Sequence, residues 1–153
     1  MKKIIIVLLL TLGISISNSD IISANENSYS FIDQVFEDGS YIQIDIKNAN
    51  YISRSTKVNS KTATYKGSDG VAYWSITVKG TFTYNGATSK CLSSDVNTNN
   101  YSRTWKLSDS SASKSGATAT ASVTAKQYGT SGAILRSIKK TVTLTCDKNG
   151  NLS

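Results

Sequence analysis

An all-β chain built as two packed sheets is what three features of the 153-residue sequence predict. Several runs alternate apolar and polar residues with a period of two, the pattern of a strand with one buried and one wet face. In "YWSITVKGTFTYNGATSKC", Tyr73 to Cys91, such a run reaches Asn85-Gly86 and returns, the sequence form of a β-hairpin. The two cysteines, Cys91 and Cys146, each fall on the apolar phase of a run, so both thiols are expected in the core.

The elements follow in order. Lys2 and Lys3 precede an apolar run from Ile4 to Ile16 and a small-residue "ISA" at Ile22 to Ala24, which reads as a secretory signal peptide over 1–24, cleaved after Ala24 or a few residues earlier. That run is short of the roughly 20 residues a membrane-spanning helix needs, so the exported chain is expected to have no membrane span. Residues 25–40 form an acidic N-terminal arm or a short helix. Phe31, Ile32, Val35 and Phe36 recur at helical spacing, and Gly39 suits a helix end. A β-sandwich domain fills 41–153.

Within that domain "YIQIDIK" turns Ile42, Ile44 and Ile46 inward, and "KTATYK" gives a short strand before the turn "GSDG". The next strand sends Trp74, Ile76, Val78, Gly80 and Phe82 inward and Ser75, Thr77, Lys79 and Thr81 outward. With a two-residue type I′ turn, Tyr84 faces Ala87, Phe82 faces Ser89, and Gly80 leaves room opposite Cys91 for a sulfur bridge. "YSRTWKL" places Tyr101, Arg103, Trp105 and Leu107 on one side. "ATATASVTAKQY" buries Ala117, Ala119, Ala121, Val123 and Ala125, a thin face that Trp74 and Trp105 must fill from across the core.

In "TVTLTC", Val142, Leu144 and Cys146 share the inner face. Continuing that phase backward would bury Lys140 and Arg136, so a bulge or twist is expected near Ser137 to Lys140. About seven strands at this spacing predict an immunoglobulin-like or fibronectin-like β-sandwich, with a small barrel as the alternative. Two cysteines in an exported chain read as one disulfide, Cys91 to Cys146, rather than as a metal site.

Charge is distributed unevenly. Residues 25–153 carry 15 basic and 9 acidic side chains, while from Tyr51 onward there are 14 basic and 4 acidic. Such a field attracts polyanions: an anionic cell-wall polymer, an acidic glycan or a lipid surface. Nucleic acid ranks lower, because export separates the chain from most of it.

Trp74, "GTFTYNG", Cys91, Trp105, "SASKSGATATA" and "VTLTCDKNGNLS" together resemble a group of small secreted proteins of Gram-positive bacteria, chiefly clostridial, over residues 60–153. Those proteins share a GTFTY-like strand after a tryptophan, a paired cysteine and a TLTC ending. The resemblance implies secretion, a β-rich fold and cysteine pairing, and brings no catalytic residues with it.

The chemistry available is thin. No histidine is present, which removes Ser-His-Asp, Cys-His and the usual zinc hydrolase arrangements. Asp69, Asp95, Asp109 and Asp147 lie beside turn residues, and "DKNGN" reads as a turn capping the last strand rather than a calcium loop. No catalytic residue, metal ligand or cofactor is expected.

Tyr73 and Tyr128 belong to the wet phase of their strands, with Tyr51 and Tyr65 as further possibilities. With Lys79 and Lys126 they make the candidate binding residues for a basic, tyrosine-bearing face. The expected function is a secreted, non-catalytic protein that binds an anionic cell-envelope or extracellular surface. The alternatives are a cationic, bacteriocin-like or toxin-like antagonist and a structural component that self-associates. The residues do not specify an oligomeric state.

Overall fold

The computed structural model describes residues 27–48 and 56–153. The signal-peptide reading of 1–24 and Tyr51 lie outside the described residues. Eight strands follow one another: β1 (Asn27–Val35), β2 (Tyr41–Asn48), β3 (Thr56–Lys66), β4 (Ala72–Tyr84), β5 (Ser89–Asn100), β6 (Trp105–Ser115), β7 (Thr118–Tyr128) and β8 (Ile134–Thr145). They form a five-stranded sheet in the order β1-β2-β3-β4-β5 and a three-stranded sheet in the order β6-β7-β8, all antiparallel. Their inner faces enclose one hydrophobic core, consistent with a β-sandwich. No helix among the described residues is long and apolar enough to cross a membrane.

The topology corrects the immunoglobulin-like expectation. Every strand pairs only with its neighbours in sequence, so each sheet is a meander, whereas the immunoglobulin arrangement interleaves strands from distant parts of the chain. Turns of two to five residues between most strands are the physical cause, because so short a connection returns the chain beside the strand it has just left.

Residues 27–35, expected as arm or helix, are strand β1. Tyr29 lies opposite Ile46 and Phe31 opposite Ile44, on the isoleucine face of β2, whereas Ile32 and Val35 lie opposite Gln43 and Tyr41 and are exposed, so the helical spacing makes no single buried face. Ten residues are too few for a helix to hold against a ready sheet edge. A bulge between Ile32 and Gln34 leaves Asp33 outside the register.

Asp33 explains a second correction. β8 runs without a break from Arg136 to Thr145 against β7, so the bulge expected near Ser137 to Lys140 is absent and both cations stay in the inward phase. The acidic N-terminal segment supplies their partners. Lys140 Nζ lies 2.5 Å from an Asp33 carboxylate oxygen, and Arg136 donates to Asp38 at 2.8 Å. Arg136 also donates to the Tyr65 hydroxyl and to Ser40 Oγ. The uneven charge of the sequence is thus partly cancelled between the acidic N-terminal segment and the last strand.

These contacts make stability depend on acid. The Asp38 carboxyl is held below its ordinary value, chiefly by the hydroxyl and amide of Ser40 and then by Arg136. Asp147 is lowered in the same way by Asn151 and the amides of its turn. A carboxyl lowered on folding contributes stability above its unfolded pKa of about 3.9, and loses it as pH falls through the folded value. The urea midpoint is therefore expected to hold from pH 7 to 5 and drop between 5 and 3, with a smaller drop in Asp38→Asn.

In the core, Tyr65 stacks on Trp74 at 5.5 Å between ring centroids and lies 5.0 Å from the ring of Trp105. Tyr65 is 2 % exposed, which removes it from the candidate surface tyrosines. Both indoles are buried in the same core as the alanines of β7.

The β4–β5 hairpin differs in register from the expectation. Residues 85–88 make a four-residue loop in which Asn85 Oδ1 accepts from the amides of Ala87 and Thr88, and only Gly86 has positive φ. Tyr84 therefore pairs with Ser89 and Phe82 with Cys91, and a bulge beyond Phe82 sets Thr81 opposite Ser93. Gly80 makes room for the Phe82 ring, which a Cβ there would meet at 2.5 Å, and not for a sulfur bridge.

"YSRTWKL" is likewise divided. Tyr101 to Thr104 form the turn between sheets, and only Trp105 onward is strand.

The cysteines are corrected too. Both are buried and free, with no bond between them. Cys91 Sγ donates to the Ser93 carbonyl at 3.1 Å and Cys146 Sγ to that of Asp147 at 3.5 Å, so each sulfur is satisfied within its own strand end. Burial pushes both thiols above their ordinary pKa; Lys114 and the Ser93 contact oppose this at Cys91, while Asp147 adds to it at Cys146. Thiolate is the reactive form. Iodoacetamide at pH 7.5 is thus expected to leave the native protein unlabelled and to add two labels in urea without reductant; no label in urea would show a disulfide.

Candidate binding face

The outward residues of sheet β6-β7-β8 form a grid that alternation alone dictates. Because Ala119, Ala121, Val123 and Ala125 fill the core, Thr118, Thr120, Ser122, Thr124 and Lys126 must point away from it. Register then aligns rows across the three strands: Ser115, Thr118, Thr145; Ser113, Thr120, Thr143; Ser111, Ser122, Thr141. The rows continue as Ser108, Thr124, Lys139 and end at Lys106, Lys126, Ser137. Cross-strand hydroxyl pairs tie the grid together, Ser111 with Ser122 at 2.9 Å and Thr118 with Thr145 at 3.0 Å.

One end of this hydroxyl face is cationic. Lys106 and Lys126 stand directly opposite each other, Lys139 is one row away, and no carboxylate pairs with any of the three among the described residues. Lys106 Nζ lies 5.0 Å from the centre of the Tyr128 ring, a cation–π contact. The nearest acid on β6, Asp109, belongs to the irregular stretch between Ser108 and Ser111, has φ of 52° and is turned to Ser108 Oγ.

The four candidate residues from the sequence are not brought together. Lys126 and Tyr128 belong to this face, whereas Tyr73 and Lys79 are on β4 of the other sheet. Tyr73 packs against the core beside Tyr65, at 6.0 Å between centroids. Lys79 is exposed but stands opposite Asp95, in a sheet face that also carries Asp45. The outer face of the larger sheet is therefore of mixed sign.

Sequence reasoning misses Lys106 and Lys139. Lys106 is accessible from the sequence, since it alternates with buried Trp105 and half-buried Leu107. Lys139 requires the phase of β8 to run unbroken through Lys140, which is set by Asp33 and Asp38 some hundred residues earlier.

Among the described residues no group of three or more Cys, Asp or Glu side chains could hold a metal ion. No protein-family profile, curated protein or solved structure matches this chain.

Proposed function

We propose that the protein is a secreted, non-catalytic β-sandwich that binds an anionic cell-envelope polymer through the lysine end of sheet β6-β7-β8. The observation that carries this reading is the Lys106–Lys126 pair. Like charges directly opposite in a sheet destabilise it, and here no carboxylate of the chain relieves them among the described residues. A polyanion laid across the strands would. Threonine and serine rows beside the lysines offer hydroxyl donors to the same phosphate or carboxylate groups, and Tyr128 adds a flat ring. Export is supported by the two lysines and the apolar run that open the sequence.

The test is binding to soluble polyglycerol phosphate as salt is varied. Three lysines, each displacing a fraction of a counterion, should give a log–log slope of about −2 to −3. Binding that is absent, or that does not change with salt, counts against the proposal.

A further inference from the structure

β1 and β8 are each an edge strand of their sheet, and the Asp33–Lys140 ion pair joins them. A slot of about 120 Å³ opens there, with Ile44 and Lys61 toward the larger sheet, Phe31 and Asp33 on β1, and β8 from Lys140 to Thr143.

Its charges do not balance. Lys61 pairs in register with Ile46 and Val78, both buried, so its side chain leaves β3 on the core side. Lys140 is only 14 % exposed and takes Asp33 at 2.5 Å. Lys61 has no hydrogen bond or ion pair among the described residues. Burial holds its pKa below the ordinary lysine value, Asp33 opposes that, and Lys140 adds to it. A partly desolvated ammonium without its own anion is costly, and two ammonium groups share one carboxylate.

The entrance adds a second feature. Phe31 lines the slot and stacks with Tyr29 at 6.5 Å and 17° between planes, yet the two rings are 44 % and 45 % exposed. Exposed stacked rings beside a cationic pocket match a ligand with an anionic head and a flat apolar arm.

We infer that the slot between β1 and β8 binds an organic oxyanion, its phosphate, sulfate or carboxylate head against Lys61 and Lys140 and its apolar arm over Phe31. This site is separate from the lysine face of sheet β6-β7-β8 and stands or falls independently of it.

Calorimetric titration of the purified protein at fixed ionic strength, with inorganic phosphate, phenyl phosphate and phenol as probes, tests the inference. Phenyl phosphate should bind about fivefold more tightly than inorganic phosphate, and phenol should not bind. Phe31→Ala should equalise the two phosphates. Lys61→Met should weaken both by about tenfold or more, the scale of a charged hydrogen bond. Asp33→Asn, which removes the competing carboxylate, should tighten both severalfold. Lys90→Gln, an exposed position on β5 outside both binding regions, should change neither.

No saturable binding of either phosphate, equal affinity for both, binding of phenol as tight as phenyl phosphate, or unchanged binding in Lys61→Met would each overturn the inference. Should Lys61→Met fail to fold, Asp33→Asn decides: tighter binding supports the site, and unchanged or weaker binding overturns it.

Discussion

Lys126→Glu combined with Lys139→Glu is expected to abolish binding to polyglycerol phosphate while leaving the fold intact. The lysine end of sheet β6-β7-β8 would change from three positive charges to one positive and two negative. A surface lysine near an anionic surface contributes about 1 kcal/mol, so four units of charge amount to roughly 4 kcal/mol. At 1.4 kcal/mol for each tenfold that is about a thousandfold at low salt. Stability should move the other way, because the new carboxylate of Lys126→Glu would face Lys106 across the strands and replace a repulsive pair with an attractive one, a gain of up to about 1 kcal/mol. Loss of binding together with loss of the urea midpoint would instead mean that the lysines hold the fold.

Trp74→Ala is expected to destabilise the protein by about 3–5 kcal/mol, a large share of the roughly 5–15 kcal/mol a domain of this size holds. Trp74 is fully buried, stacks on Tyr65 and lies 6.1 Å from the ring of Trp105, in the core that the alanines of β7 share. Alanine there leaves a cavity that no neighbouring methyl can fill. Trp74→Phe should cost far less, because Trp74 Nε1 has no hydrogen-bond partner among the described residues and phenylalanine gives up only ring volume. Urea unfolding followed by circular dichroism separates the two; equal losses would mean that the core is not organised around this ring cluster.

What is legible in the sequence and what is not follows from the range of the interactions. Strand faces are readable wherever one side chain in two is apolar, as in Ile42, Ile44 and Ile46 or along β7, because burial acts on each residue directly. Asn85-Gly86 announces a turn, but the two amides accepted by Asn85 Oδ1 lengthen it and shift Cys91 from Gly80 to Phe82. The helical period in β1 is a coincidence of spacing that only the waiting edge of β2 could decide.

Half of the binding face is visible in Lys126 and Tyr128. Its remainder depends on β8, whose inward Arg136 and Lys140 are tolerable only because Asp38 and Asp33 return to meet them. Long-range ion pairs leave no local trace in the sequence. Sheet order has the same character, since turn lengths specify which strands are neighbours but not where the chain crosses from one sheet to the other, here at Tyr101 to Thr104.

Amide chemical shifts recorded during a titration with polyglycerol phosphate test the binding face most directly. The largest changes should fall on Lys106, Thr124, Lys126, Tyr128, Ser137 and Lys139, which share one end of one sheet face. Changes centred on Gln43, Thr62, Thr77 and Lys79 of the larger sheet, or none at saturating polymer, would contradict the account.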